Sequence, residues 1–565
     1  MEPLARSAWK IPLVVGMALI GCKQSGQASP ATTVEPAQPA ANAFQLIVAY
    51  GSEKKSWVEE QIAAFNQSNP KLPSGAPFTV EGKAMGSGEA MQDILRGDLQ
   101  ATVYSPASEI YLALLNDAWL SMPGHAAPIA PRGESVVISP MVIAMWKPMA
   151  EALGWPKKSL GWGDVLKIVG DKRGWQALGR AEWGHFKLGH THPEYSTSGL
   201  LSVIAEAYAG AKKTRDLGAK DLAAPKTRAF LRDIEKGIVH YGKSTGFFAD
   251  KMLSRGPSYL SAAVLYESSV IESYATNQAG MDLVSIYPKE GTFWSDHPYA
   301  ILDAPWVSAD QRKAAEIFLA RLKARPAQER ALALGFRPAD PALAIGAPID
   351  AAHGADPKQP QTLLATPSAA TVKTLLEVFR EVKKPSDVTL IFDKSGSMKG
   401  DPLEKAKAGG QAFLRTLQPR DQVSLQMFDD QVHPIVGPVV VGKGIDSLLN
   451  RIGEIPASGG TALYDAIDSA YRDMKTRASK DPDRIHALVV MTDGKDEHSS
   501  LPLADLFSLF PSGETESDIK VFTIAYGQGA KGDVLPRIAE AGGGSHSQGD
   551  VKNIVQVYRD IASFF

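Results

Sequence analysis

The chain has 565 residues, long enough for two or three domains. Apolar residues at 44% and charged residues at 22% are the proportions of a globular protein, and a net charge of −2 excludes a global pull toward nucleic acid or an anionic surface. The single cysteine, Cys22, excludes an intramolecular disulfide.

Arg6 and Lys10 precede or border the apolar run 11–20, which is too short to span a bilayer and suits the core of a signal peptide. Leu19, Ile20, Gly21 and Cys22 follow, and they resemble a bacterial lipobox. The resemblance implies a signal peptide over residues 1–21 and a lipid on Cys22, hence a place in the bacterial cell envelope on the periplasmic or extracellular face. Lys23, where inner-membrane lipoproteins typically carry Asp, points toward outer-membrane sorting without deciding the membrane. Residues 22–43 are rich in Ala, Pro, Ser, Thr and Gln without apolar periodicity, the pattern of a flexible tether.

Residues 44–338 read as a first globular region opening on a buried strand, Phe44 to Tyr50. Ser/Gly turns then feed helix starts repeatedly, at Ser52, at Ser87, at Ser105 and Ser108, and at Ser196, Thr197 and Ser198. Taken singly these are N-caps; taken together, helix N-termini with free N–H groups suit anions or polar ligands. The phrases Tyr50-Gly51-Ser52-Glu53, Tyr104-Ser105-Pro106-Ala107-Ser108, Tyr195-Ser196-Thr197-Ser198-Gly199 and Tyr266-Glu267-Ser268 resemble the two-lobed extracellular solute-binding proteins of ABC importers. The resemblance implies a site between lobes lined by Ser52, Ser87, Ser105, Ser108, Ser196, Thr197, Ser198, Glu267 and Tyr287. A carboxylate at Glu267 facing such a pocket would repel an oxyanion and favour a cation, an amine or a hydroxyl-rich solute; a surface position or a hinge ion pair is the alternative. His190 and His192 flank Thr191, but no Cys or carboxylate pattern completes a metal site, Glu194 being the nearby acid. Trp155, Trp162, Trp175 and Trp183 are irregularly spread and read as core.

Residues 339–385 read as a linker followed by a helix from Ser368 carrying Val372, Leu375, Leu376, Val378 and Phe379, which would brace the regions on either side. Residues 386–565 alternate strand and helix, giving a parallel sheet with helices on both faces. The first strand, Asp387 to Phe392, runs into Asp393, Lys394, Ser395, Gly396 and Ser397, and Asp401, Pro402 and Glu404 read as an N-cap, a first helical residue and a capping box. The next helix shows Leu403, Ala406, Gly410, Phe413, Leu414 and Leu417 at helical spacing, with Gly409 and Gly410 marking a close packing contact. Pro434 and Pro438 place residues 432–441 at a sheet edge. Gly459, Gly460 and Thr461 open a further helix, and a buried strand ends at Asp493.

Asp393, Ser395 and Ser397 sit at the carboxyl end of a strand, where open α/β sheets bind ligands, and they offer hard oxygens suited to Mg²⁺, Mn²⁺ or Ca²⁺. Thr461 and Asp493 fit the same place. In that order, on alternating strands and helices, these residues resemble the von Willebrand factor A (VWA) domain and its metal-ion-dependent adhesion site (MIDAS). The resemblance implies a metal held by Asp393, Ser395, Ser397, Thr461 and Asp493, with an acidic residue of a protein partner filling an open position. Lys394 reads as a solvated loop charge, Asp465 as an outer acceptor, and Asp496 and Glu497 as surface charge.

The fold class expected is therefore α/β: a two-lobed periplasmic-binding-protein-like domain, then a Rossmann-like VWA domain. The function expected is binding rather than catalysis, by an envelope lipoprotein pairing a solute domain with a metal-dependent protein clasp. A solute receptor of an ABC importer is the second reading and a metal-dependent hydrolase the third; no His falls in the three metal loops, His433 and His498 lying on other segments.

Overall fold

The computed structural model describes residues 44–276, 280–510, 519–527 and 532–565. The signal-peptide, lipobox and tether expectations, Cys22 included, lie outside the described residues. Among the described residues no helix is long and apolar enough to cross a membrane.

The N-terminal region has strands Phe44–Gly51 (β1), Phe78–Met85 (β2), Val103–Ser105 (β3), Glu134–Ser135 (β4), Val137–Trp146 (β5), Leu188–Thr191 (β6), Ile238–Gly242 (β7), Ala262–Tyr266 (β8), Leu283–Ile286 (β9), Trp294–Ser295 (β10), Pro298–Ile301 (β11) and Arg337–Pro338 (β12). They form two sheets, ordered β2-β1-β3-β11-β4 and β10-β5-β8-β6-β7, with β9 and β12 also on β5. Each sheet anchors one lobe. The chain crosses between sheets at Val136, at residues 296–297 and again between β11 and β12; at the first two crossings the Val136 amide donates to the His297 carbonyl at 3.2 Å. β1 is parallel to both neighbours, and its residues Leu46, Val48 and Tyr50 are buried with Phe65, Phe78 and Phe318. Trp162 and Trp175 are fully buried, as core residues should be.

The C-terminal region has strands Ser386–Asp393 (β13), Gln422–Phe428 (β14), Val436–Val440 (β15), Ile485–Thr492 (β16), Ile519–Tyr526 (β17) and Gly543–Gly549 (β18). Their order is β15-β14-β13-β16-β17-β18, parallel except for the edge strand β15. Alternate residues of the buried strands face opposite layers: Leu390 and Phe392 pack with Phe413, Ile554 and Tyr558, while Ile391 packs with Leu463, Ile467 and Tyr471. A Cβ on Gly409 would lie 2.7 Å from the Tyr558 ring, which is the close approach that glycine permits. β14 and β16 leave β13 on opposite sides, so a crevice opens at the carboxyl end of β13.

One buried apolar cluster runs from the second sheet, through Val372, Leu375, Val378 and Phe379 of the helix Ala369–Val382, into the C-terminal sheet. Ser368 caps that helix by accepting from the Thr371 amide at 3.2 Å. Phe564 completes the contact, packing on Phe247 and His240 while its carbonyl accepts from the Tyr241 amide at 3.3 Å.

Candidate functional site

β13 ends in Asp393, whose side chain is fully buried at the floor of the crevice. One carboxylate oxygen accepts from the Ser395 amide at 2.8 Å, the other from the Thr492 hydroxyl at 2.5 Å. The Ser395 and Ser397 hydroxyls lie 3.0 Å apart, and Ser397 donates to Asp493 Oδ1 at 2.7 Å. Thr461 is buried, and its hydroxyl lies 3.3 Å from where a Cβ on Gly494 would stand, directly after Asp493. Ser397 is exposed and Asp493 half-buried, so the group opens to solvent on one side only. Burial pushes the Asp393 carboxyl up to about 6 against the hydrogen bonds from Thr492 and Ser395, and burial also raises Asp493. Three hydroxyls and two carboxylates make a hard-oxygen donor set. Both carboxyls carry a desolvation cost that a cation would offset, so the residues fit a divalent ion of the Mg²⁺, Mn²⁺ or Ca²⁺ kind.

Several neighbours differ from their sequence readings. Lys394 is not a solvated charge: it is buried, paired with Asp429 and donating to Ser458 Oγ at 2.7 Å. Burial opposes ionisation of Asp429, but Lys394, the Gln431 amide and His433 hold its carboxyl well below the usual range. This network ties the loop after β13 to those after β14 and before Thr461. Asp465 accepts from the Ser500 and Leu501 amides at 2.8 and 2.9 Å, so it shapes a neighbouring loop instead of the crevice. Asp401 is the first helical residue and not the N-cap; Gly400, at φ +93°, takes that position, which a side chain rarely adopts. The helix expected to open at Thr461 runs over Leu463–Lys480.

In the N-terminal region the serine turns meet one another across the two lobes. Thr197 donates to Ser87 Oγ at 2.8 Å, and Ser52 Oγ accepts from the Gly246 amide at 3.0 Å. Within the second lobe Ser196 and Ser198 share Thr245 at 3.2 and 2.9 Å, while Ser108 Oγ accepts from the Ile110 amide at 3.4 Å, one residue before the N-cap Glu109 of the following helix. Ser105 lies in β3, and its carbonyl accepts from Lys54 Nζ at 2.9 Å. The Gly88 and Glu89 amides, at the start of the helix Ser87–Arg96, donate to the Tyr195 carbonyl at 2.9 and 3.1 Å. Helix N-termini read as places for a ligand thus receive the opposite lobe.

Glu267 and Tyr287 form a separate group. Arg337 Nε and Nη2 each donate to Glu267 at 2.8 Å, and the Tyr287 hydroxyl donates to the same carboxylate. Glu267 is fully buried and ion-paired, which matches the ion-pair alternative rather than a free pocket-facing carboxylate, and its objection to an anionic solute disappears.

Residues 46–337 match the family described as bacterial extracellular solute-binding protein. The chain belongs to this family. Residues 387–558 match the von Willebrand factor type A domain. The uncharacterized protein sll0103 of Synechocystis sp. is 30% identical over 165 residues, covering 29% of this chain and 37% of that protein, so the match spans little more than a third of that relative. Among solved structures, a von Willebrand factor type A protein from Catenulispora acidiphila shares 21% identity at a TM-score of 0.28, over 32% of this chain and 42% of that one. A periplasmic thiamin binding protein shares 12% at 0.44, over 62% and 99%. AfuA from Actinobacillus pleuropneumoniae, solved with fructose-6-phosphate, shares 15% at 0.42, over 60% and 99%.

The solute-binding domain also holds polar residues that the sequence reading passed over. Glu53, Lys54 and His297 are buried together close to the crossing at residues 296–297, with Lys54 Nζ 3.1 Å and His297 Nδ1 3.2 Å from Glu53 Oε1. Burial favours the neutral acid, but Lys54 and His297 outweigh it and hold Glu53 down at about 2, while burial pushes His297 down to about 4. His297 Nε2 has no hydrogen-bond partner among the described residues, and its ring packs on Tyr266 at 5.6 Å. Glu53 stands beside Ser52 in the quoted phrase and Lys54 directly follows it; a run of Glu-Lys-Lys reads as surface charge, which hid them.

Proposed function

We propose that the chain is a lipid-anchored, extracytoplasmic binding protein whose VWA domain grips an acidic residue of a protein partner through a divalent cation. The supporting observation is the linked set Asp393, Ser395, Ser397 and Asp493, with Thr461 close by, at a crevice open to solvent on one side. Bound there, Mg²⁺, Mn²⁺ or Ca²⁺ would supply a positive centre for a partner's carboxylate. Asp393 anchors the loop from beneath, the serines present neutral oxygens, and Lys394 with Asp429 holds the loop's shape. Hydroxyl donors leave the ion much of its charge, which favours recruiting an acidic group over building a neutral structural site. The lipid anchor rests on Leu19 to Cys22, and a place outside the cytoplasm accords with the solute-binding family.

A pull-down from detergent-solubilised envelope tests this reading, with residues 23–565 as bait in Mg²⁺, in EDTA, and as Asp393→Ala. A protein captured by the wild type in Mg²⁺ alone supports the clasp and identifies the partner. Equal capture under all three conditions refutes it.

A second reading, a small-molecule receptor, is favoured by one observation: the buried polar group of Glu53, Lys54 and His297 beside the crossing between the sheets. It requires the lobes to part, because Ser87 and Ser52 are each engaged by the opposite lobe, through Thr197 and the Gly246 amide.

A further inference from the structure

His190, on β6, was read from the sequence as lacking a carboxylate to complete a metal site. Folding supplies two. Glu206 comes from the helix Thr197–Ala211 and Glu235 from the end of the helix Pro225–Glu235. A His190 ring nitrogen and one oxygen of each carboxylate all lie within 4.8 Å of one another, and all three residues are fully buried.

The hydrogen bonds fix which atoms face the centre. His190 Nδ1 lies 2.7 Å from the Thr191 carbonyl, which can only accept, so Nδ1 carries the hydrogen and Nε2 points inward. This is the arrangement by which histidine ligands are oriented in metal sites. Nε2 stands 3.2 Å from Glu235 Oε1, whose companion Oε2 accepts from the Tyr241 hydroxyl at 2.6 Å. Ser202 donates to Glu206 Oε1 at 2.8 Å, and Glu206 Oε2 has no hydrogen-bond partner among the described residues. Each carboxylate therefore has one oxygen committed outside the cluster and one facing into it. An imidazole lone pair and a carboxylate oxygen at 3.2 Å repel unless positive charge lies between them. With a neutral imidazole and both carboxylates ionised, the cluster holds two buried negative charges, which a divalent ion cancels in full.

We propose that His190, Glu206 and Glu235 form a buried three-ligand site for one first-row divalent cation, zinc foremost. One imidazole and two carboxylates are a donor set for zinc, and ligands around tetrahedral zinc stand about 3.4 Å apart for bonds near 2.1 Å. The His190–Glu235 pair, at 3.2 Å, already has that spacing. Rotation of the Glu206 carboxylate closes the third side. The site pins a strand and two helices together where Phe379 of the helix Ala369–Val382 packs on His190, at 6.4 Å between rings. It is independent of the crevice at Asp393.

The test uses the full chain, unfolded in guanidinium with EDTA and refolded with one equivalent of zinc chloride, then passed through gel filtration in EDTA to strip exposed sites. Zinc is counted by mass spectrometry and located by anomalous diffraction at the zinc edge. The expected result is stoichiometric retention by wild type and by Asp393→Ala, near-complete loss in Glu206→Gln and His190→Gln, and an anomalous peak between the three side chains. Absence of the peak from wild-type crystals grown with zinc overturns the proposal and leaves protons as the positive charge in the cluster. Equal zinc retention by Glu206→Gln, His190→Gln and wild type also overturns it. The wild-type diffraction result decides even where a variant fails to fold.

Discussion

Replacing Gly88 by Ala should open the solute cleft. A Cβ there would stand 2.1 Å from the Glu194 carbonyl oxygen, 2.8 Å from its carbon and 2.8 Å from the Tyr111 hydroxyl. The first two are backbone atoms of the other lobe and cannot swing aside, so the facing segment must withdraw by roughly 1 Å in an interior that has no slack. That withdrawal takes the Gly88 and Glu89 amide bonds to Tyr195, now 2.9 and 3.1 Å, and the Thr197–Ser87 bond, now 2.8 Å, beyond useful length. At about 1 kcal/mol net for each bond, the closed form loses about 3 kcal/mol relative to the open one. This is more than a hundredfold in their ratio, since about 1.4 kcal/mol is a factor of ten. The helix gains propensity from Ala, but equally in both forms, so that gain cancels. Small-angle scattering and hydrogen exchange would read the change as a larger radius of gyration and lost protection at the two amides. Gly170→Ala, with nothing within 4 Å of the new methyl, is the control. Scattering and protection identical to wild type in Gly88→Ala would refute the account of how the cleft closes.

The Glu267–Arg337 pair gives a second expectation. Arg337→Met leaves a buried carboxylate without its partner and should cost about 3–5 kcal/mol, whereas adding Glu267→Gln removes the orphaned charge and should restore most of it. The first denaturant transition measures both, and a double mutant no better than the single would contradict the pairing argument. The third concerns pH at the junction between domains. Burial and the nearby Asp560 push Glu89 from 4.5 up to about 7, so the folded state keeps a proton that the unfolded state releases across that window. Its stabilising contribution is fully present below the unfolded value and is lost as pH rises through the folded one. Melting temperature should therefore fall from mildly acidic to mildly alkaline pH, and less steeply in Glu89→Gln, which keeps an acceptor for the Gly86 amide. Parallel profiles for the two proteins would exclude Glu89 as the source.

The C-terminal sheet was legible because buried parallel strands announce themselves locally. Leu390 to Phe392 and Ala487 to Met491 are uninterrupted apolar runs, and both lie in strands with both faces covered. The Asp393 loop was legible for the same reason: three of its oxygens lie within five residues. β18, with Gly543, Gly544, Ser545 and His546, carries no apolar alternation and took its strand form from pairing with β17. Lys394 looked solvated because its partner Asp429 lies 35 residues away. Glu267 and Arg337 are 70 residues apart, and no periodicity joins them. The serine turns were identified correctly as helix starts, but a helix start demands acceptors without specifying whether a ligand or another part of the chain supplies them.

That ambiguity bears on how the two domains act on each other. The helix Ala369–Val382 touches both lobes: Lys373 pairs with Asp117 on one, while Arg380 pairs with Glu194 and Glu381 with Arg228 on the other. Lys373 and Asp117 are about half exposed, and such surface pairs contribute roughly 0–1 kcal/mol each, so they hold the lobes only weakly. The apolar stripe of Val372, Leu375, Val378 and Phe379 holds far more firmly, and it packs with the core that continues to β13. The same buried cluster takes in Leu112, Leu114, Leu115 and Trp119 of the first lobe, so the helix is held to both lobes and to the C-terminal sheet by apolar packing more than by its ion pairs.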